Sequence, residues 1–374
     1  MDVADFDFDL PDELIAQEPP DVRGQSRLLV LRRNEGRIEH TTFPRLAEYL
    51  TAGDLVVLND TKVFPARLHG HRAPSGGAVE CLLLRQLPTP QLPVSRPDRP
   101  HEGPMGVGNT DVGSSVSWDA LMHPGQKLKP GARVLFEGGG VRLHGEVAAR
   151  HFHGRRTIRL WTDEGTAVGD AIDRIGRIPL PPYIRREDRA SDRERYQTVY
   201  ARERGSIAAP TAGLHVTAAV LDALASRGVE RTLLTLHVGY GTFKPVRAER
   251  VEDHVVDPEI FTVSGEAAAA LTRARQDGRR IIAVGTTTAR ALESLDADEG
   301  GRVEPASGET RLFIHPGHRF RVVDGLVTNF HLPRSSLLML VAAFAGRERI
   351  LDAYREAVAR GYRFYSYGDA MLIL

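Results

Sequence analysis

The sequence predicts a multi-domain α/β protein: a large mixed α/β domain with an inserted small β-barrel. Three observations predict it. From about residue 205 onward, strand-like and helix-like runs alternate, the pattern of an α/β layer structure. Residues 67–174 instead carry short β-like runs between Gly-rich and Pro-rich turns, without a helical period, as a small barrel does. An apolar strand, DLVVLN, precedes that section, so the α/β domain starts ahead of the barrel and resumes behind it. The expected boundaries are 1–66 and 175–374 for the large domain and 67–174 for the insertion.

Taken in order, the N-terminal stretch MDVADFDFDLPDELIAQEPP is acidic and has no apolar core, so it does not read as a secretory signal. DLVVLNDTKV, residues 54–63, reads as a buried strand running into a polar turn. In the barrel section AVECLLLRQL, ARVLFEG, VRLHGEVAA and RTIRLW read as strands. Residues 88–117 are rich in Pro, Gly and Ser and poor in apolar side chains, so burial cannot offset their ordering entropy and a mobile loop is expected. Residues 174–206 hold a dense run of arginines mixed with acids; a solvated helix face and a phosphate-contacting edge both fit. Beyond them RTLLTLHV, RRIIAVGT and RLFIHPG read as strands. TAAVLDALASRG, SGEAAAALTRARQDG, TARALESL, RSSLLMLVAAFAG and RERILDAYREAVARG read as helices, with Ser264 an N-cap and Gly278 a C′ residue.

The bulk properties narrow the function classes. The chain has 374 residues, 41% apolar and 26% charged, as a soluble globular protein does. Its one cysteine, Cys81, excludes an intramolecular disulfide and a Cys-rich metal site, and sits in the apolar run AVECLLL. The most apolar run, SSLLMLVAAFAG, is too short to span a bilayer, and a cytoplasmic monomer is expected. Formal net charge is zero, which argues against a wholesale nucleic-acid coat. The first 18 residues are strongly acidic, however, so the rest of the chain is net basic.

Several clusters share one design, an apolar element ending in Gly, Thr, Asn or His. LNDTKV supplies Asn59, Asp60 and Thr61, where an Asx or Thr turn fits as well. GSIAAPTAGLHVT supplies Thr211, Gly213 and His215 in small-residue backbone ahead of a helix, which suits a ligand or a plain N-cap loop. TLHVGYGTFKP places His237 before Gly239, Tyr240, Gly241 and Phe243; two glycines around an aromatic point to a close approach to the backbone. VEDHVVDPEIF brings Glu252 near His254, an acid/base pairing that also occurs on ordinary surfaces. IIAVGTTTAR puts Thr286 and Thr287 at a helix N-terminus, without the ending of a phosphate-binding P-loop. VTNFHLPRSS contributes Asn329 and His331, and YSYGDAMLIL contributes Asp369. His151 and His153 suit a strand edge as well as a ligand pair, so no metal is expected.

Eight strings in order, FDFDLPDELIAQEP, GDLVVLNDTKVFPARL, RYQTVYA, GSIAAPTAGLHVT, TLHVGYGTFKPV, AVGTTTARALES, TNFHLPRSSLLMLV and YGDAMLI, together resemble the S-adenosylmethionine:tRNA ribosyltransferase-isomerase family of queuosine biosynthesis. They run from residue 6 to residue 373. The resemblance implies a mixed α/β domain with an inserted β-barrel. It implies transfer of the ribosyl part of S-adenosylmethionine to the aminomethyl group of a 7-deazaguanine at a tRNA wobble position, with rearrangement to an epoxycyclopentanediol and release of adenine and methionine.

For that chemistry His215, His237 and His331 are the acid/base candidates, with Asp60, Glu252 and Asp369 as orienting carboxylates. Asn59, Thr61, Thr211, Gly213, Gly239, Tyr240, Gly241, Phe243, Thr286, Thr287 and Asn329 are candidates for holding S-adenosylmethionine, Tyr240 and Phe243 as cation–π partners of its sulfonium. Arg177, Arg193, Arg195 and Tyr196 are candidates for tRNA contacts. The chain departs from the family at Val216, where phenylalanine is usual, and at Asp257, which replaces a second histidine. The altered 255–260 segment leaves a same-fold enzyme with another acceptor as the competing reading. A non-catalytic RNA-binding protein is a third, against which the zero net charge speaks.

Overall fold

The structure, a computed structural model, describes residues 1–88 and 115–374 except 164, 297 and 299. It divides into two compact units, one of Met1–Phe64 with Leu180–Leu374 and the other of Pro65–Pro179. The larger unit opens with β1 (Arg27–Arg32), β2 (Arg37–Thr42), β3 (Leu55–Asn59) and β4 (Thr61–Val63). The smaller holds β5 (Arg67–Ala73), β6 (Ala78–Gln86), β7 (Val116–His123), β8 (Arg133–Gly138), β9 (Val141–Arg150), β10 (Arg155–Thr162) and the helix α1 (Val168–Ile175). The larger unit then resumes with α2 (Asp192–Arg195), β11 (Glu203–Ser206), α3 (Ala218–Ser226), β12 (Glu230–Leu236), β13 (Glu259–Val263), α4 (Gly265–Gln276), β14 (Ile281–Val284), α5 (Thr286–Glu293), β15 (Ala306–Thr310), β16 (Gly325–Asn329), α6 (Ser336–Ala345), α7 (Arg347–Ala359) and β17 (Ala370–Ile373).

In the smaller unit the six strands close into a barrel in the order β10-β7-β6-β5-β8-β9. Alternate apolar residues fill it, including Leu68, Cys81, Leu83, Phe136, Leu143 and Ile158, all fully buried. Burial pushes the Cys81 thiol up, so it stays protonated as a small core side chain. Residues 89–114, most of the expected loop, lie outside the described residues. Its C-terminal end is corrected: Val116 and Ser117 already belong to β7 and pair with β10.

The larger unit is built on a nine-stranded sheet, β15-β13-β12-β3-β14-β16-β17-β1-β2. Its centre, β12-β3-β14-β16, is parallel. Successive side chains of a strand point to opposite faces, and the cores follow that rule. Leu55, Val57, Ile281 and Ala283 join the core under α4, α5 and α6, while Val56, Leu58, Ile282 and Val284 join the one under α3. The expected caps form: the Ser264 side chain accepts from Ala267 N at 3.2 Å, and Gly278 follows α4 with φ +64°.

Two expectations are corrected. RLFIHPG is not a strand; the preceding polar run Ala306–Thr310 is, as the edge strand β15. Between the end of α1 and the start of β11, residues 176–202 carry only the single helical turn α2, so the arginine-rich stretch is not a solvated helix face.

Candidate active site

In the larger unit the carboxyl ends of four adjacent parallel strands meet along one edge, the place where open α/β sheets bind ligands. Those ends deliver Asn59 to Thr61, His237, Gly285 and Asn329 to His331. Because β17 runs antiparallel to β16, its amino end delivers Tyr365 and Ser366 to the same edge. A cleft of about 520 Å³ opens there. Its floor is the small-residue segment 208–212 with Gly285, Thr286 and Thr287. Tyr183, Tyr196 and Tyr365 supply aromatic walls, and Val238, Thr242 and Leu337 complete the rim. No carboxylate, ammonium or guanidinium is among these lining groups. Burial pushes the three tyrosine hydroxyls up, so they stay neutral as well.

Asn329 organises one wall. Its Nδ2 donates to the Tyr365 carbonyl and to Nε2 of His215, each at 3.0 Å. Nδ1 of His215 therefore carries the proton and donates to Ser26 Oγ at 2.8 Å. Burial lowers the His215 pKa to about 4, and that of His331 to about 3. His331 pairs through Nε2 with Thr328 Oγ1 at 2.9 Å. Oδ1 of Asn329 is buried and has no hydrogen-bond partner among the described residues. Tyr365 has φ +72°, a strained value for a tyrosine. Three contacts hold it: its N–H donates to the Phe330 carbonyl, its ring meets Tyr183 edge-on at 3.9 Å, and its carbonyl accepts from Asn329.

A second polar network lies at the ends of β3 and β12. Nδ1 of His237 is 2.8 Å from Thr61 Oγ1, which also donates to Ser206 Oγ at 2.9 Å. Gly205 packs against the His237 ring so closely that a Cβ there would fall 2.6 Å from it. Desolvation lowers the His237 pKa, while the charge of Asp60 opposes the shift. Asp60 itself accepts from Thr235 Oγ1 at 2.6 Å and Arg202 Nη2 at 3.0 Å.

Beside the main cleft is a second, of about 540 Å³, which shares Thr242 and Leu337 with it. This one is charged. Arg290 and Glu259 form a buried ion pair, and Lys244 pairs with Asp257 at 2.6 Å nearer the surface. Glu259 Oε1 also accepts from Gly239 N at 3.0 Å and Thr242 Oγ1 at 3.2 Å.

Of the residues singled out in the sequence, Thr211, Thr286, Thr287, Asn329 and His331 meet in the main cleft. His215 lies behind it, bonded to Asn329. Asn59 is corrected to a sheet residue: its amide bridges to the Leu236 main chain and to Thr287, and it does not line the cleft. Thr61 serves His237 instead of the cleft. Gly213 admits the Tyr200 hydroxyl, which would be 2.2 Å from a Cβ. Gly241 admits Asp257, 2.9 Å from a Cβ there, whereas Gly239 contributes its N–H to Glu259. Tyr240 does not line either cleft, and the side chain of Phe243 lies outside the described residues.

The three orienting carboxylates are corrected too, because none makes a hydrogen bond to a histidine among the described residues. Asp60 is held as above; Glu252 binds the Met1 ammonium at 2.7 Å, which lowers its pKa to about 2; Asp369 holds Arg27 and the Arg363 N–H. Tyr196 is corrected from a tRNA contact to a fully buried wall of the cleft. Arg195 reaches the main-chain carbonyls of Pro20 and Asp21, Arg193 is exposed, and Arg177 lies in the smaller unit with its main chain paired to Arg67. Sequence reasoning misses Tyr183, Thr242, Thr328, Tyr365, Ser366 and the Glu259–Arg290 pair as site groups; Thr242, Thr328, Tyr365 and Ser366 sit inside quoted motifs, whereas Tyr183 carries no local signal. Among the described residues no group of three or more His, Cys, Asp or Glu could hold a metal, and no helix is long and apolar enough to cross a membrane.

Comparison with known proteins places this edge in context. A family model described as "Queuosine biosynthesis protein" matches residues 3–373. The chain is 52% identical over 373 residues to the S-adenosylmethionine:tRNA ribosyltransferase-isomerase of Anaeromyxobacter sp. (strain Fw109-5), covering 100% of this chain and 99% of that protein. It is 50% identical over 374 residues to the protein of the same name from Symbiobacterium thermophilum, covering all of both. A crystal structure of S-adenosylmethionine tRNA ribosyltransferase from Thermotoga maritima is similar at 37% identity and a TM-score of 0.52, over 99% of this chain and 100% of that one. The chain therefore belongs to the queuosine biosynthesis protein family.

Proposed function

We propose that this chain is an S-adenosylmethionine:tRNA ribosyltransferase-isomerase. It moves the ribosyl part of S-adenosylmethionine onto the aminomethyl group of a 7-deazaguanine at the tRNA wobble position and rearranges that ribose to an epoxycyclopentanediol. Adenine and methionine leave. The observation that carries this reading is the family match from residue 3 to residue 373, with relatives of that name aligned over nearly their whole length.

The main cleft is the adenosyl site. A neutral purine and ribose need apolar faces and a few fixed hydrogen-bonding groups, which the tyrosines and hydroxyls there provide. Asn329 Oδ1 is the acceptor left over for the ligand. His331, held neutral, is a hydrogen-bonding group and not a proton acceptor of useful strength. His237 is the base. Thr61 fixes its Nδ1, and desolvation lowers its pKa while the nearby charge of Asp60 opposes that shift. Arg177 and Arg193 contact tRNA phosphates, and the larger unit carries the chemistry. The enzyme acts in the cytoplasm, where its tRNA is.

Incubation with S-adenosylmethionine and a tRNA carrying 7-aminomethyl-7-deazaguanine, followed by mass analysis of the nucleosides, tests the reading. A heavier wobble nucleoside is expected. An unchanged nucleoside alongside normal S-adenosylmethionine binding would move the search to another acceptor.

A further inference from the structure

The second cleft differs from the first in being charged, and Arg290 shows what it lacks. Arg290 is 9% exposed. Its Nε donates to the Leu312 carbonyl at 2.9 Å and its Nη1 to Glu259. Nη2 is buried and has no hydrogen-bond partner among the described residues. Two N–H donors of a buried guanidinium are therefore unmet, at a cost that a carboxylate ligand would remove. If the Arg290–Glu259 pair only tied β13 to α5, neither an adjoining cleft nor a leftover donor would be needed.

We propose that this cleft is the subsite for the amino-acid end of S-adenosylmethionine. The inference rests on the reading of the main cleft as the adenosyl site. Nη2 of Arg290 takes the α-carboxylate, with Lys244 as a second cation at the rim. Glu259 and Asp257 face the α-ammonium. The ligand is a neutral nucleoside joined through a sulfonium to a zwitterion, so it needs a neutral compartment beside a charged one. Thr242 and Leu337 belong to both clefts and mark the junction. Thr242 also donates to Glu259, which couples the junction to the charged pair. Gly241 has no Cβ to push Asp257 away, so the Asp257–Lys244 pair can close the outer end. Methionine, the leaving group at this end, would depart through the same cleft.

Calorimetric titration of the full chain with S-adenosylmethionine and with its decarboxylated analogue tests the assignment. The parent protein should bind S-adenosylmethionine at least tenfold more tightly than the analogue. Arg290→Lys keeps the charge but loses the planar donor set; it should bind the two within threefold of each other and hold the analogue as the parent does. Equal binding of both by the parent, or a full tenfold preference in folded Arg290→Lys, would overturn the subsite. A parent that binds neither compound would overturn the adenosyl reading beneath it. If Arg290→Lys fails to fold, Lys244→Gln at the rim should narrow the preference at least threefold, and an unchanged preference there counts against the proposal.

Discussion

Asn329 donates to Nε2 of His215 at 3.0 Å, and this single bond fixes the tautomer of a histidine that cannot ionise near neutral pH. The orientation of the amide is settled by its second partner, the Tyr365 carbonyl, which can only accept. The carbonyl oxygen of Asn329 is thereby left without a partner among the described residues, in the wall of the cleft. Asn329→Ala should strand the His215 and Tyr365 acceptors and lower stability by about 1–3 kcal/mol. The folded variant should also bind S-adenosylmethionine at least tenfold more weakly. Urea unfolding and calorimetry check the two parts separately.

The buried histidines also predict how stability depends on pH. Folding lowers the pKa of His215 to about 4 and of His331 to about 3, from an unfolded value near 6.5. Below 6.5 the unfolded chain therefore binds protons that the folded chain refuses, so stability falls as pH drops from 6.5 toward 4. Urea midpoints should decline between pH 7 and pH 4.5, and less so in His215→Asn. An equal decline in the variant would show that His215 is not a source of it.

A base must be unprotonated to work. With the His237 pKa lowered, the acid limb of kcat should lie below pH 6.5, and His237→Ala should lose about 10²–10⁴ in kcat. Thr61→Val, which removes the Nδ1 partner, should reduce kcat with little change in S-adenosylmethionine affinity. A pH–rate profile with the same acid limb in His237→Ala would exclude this histidine.

Glycines of the conspicuous motifs should differ sharply in tolerance. A Cβ on Gly213 would lie 2.2 Å from the Tyr200 hydroxyl, so Gly213→Ala should cost about 1–3 kcal/mol of stability as overpacking does. Among the described residues a Cβ on Gly239 meets nothing nearer than 3.8 Å, and Gly239→Ala should stay within about 0.5 kcal/mol of the parent. Thermal unfolding of the two variants decides this. A large loss at Gly239 would mean that its backbone is constrained by something other than its neighbours.

Arg193 is exposed on the turn α2, within the arginine-rich stretch. Arg193→Glu should weaken tRNA binding and flatten its salt dependence, leaving S-adenosylmethionine binding unchanged. An unchanged salt slope would remove this residue from the tRNA surface.

How far the molecule was legible in its sequence depended on whether signal and structure were local. Apolar runs locate the parallel strands β3, β12 and β14 and the helices over 218–359, because burial is what selects those residues, whereas the parallel strand β16 is not among the strands read from the sequence. Strand β15 left no such mark: Ala306–Thr310 is a polar, mostly exposed edge strand. The apolar run after it, with Ile314 buried, packs without pairing. At the site, Asn59 looks like a ligand group but closes the seam between β3 and β12. Tyr183 and Tyr365, 3.9 Å apart in space, are remote in sequence, and no local pattern joins them. Arg290 and Glu259 are likewise brought together only by the fold.

The most direct test of the account is stoichiometric. In a single turnover with excess S-adenosylmethionine, adenine released and modified wobble nucleoside formed should appear one to one, and only with tRNA that carries the aminomethyl-deazaguanine. Adenine release without nucleoside formation, or formation on tRNA lacking that base, would contradict it.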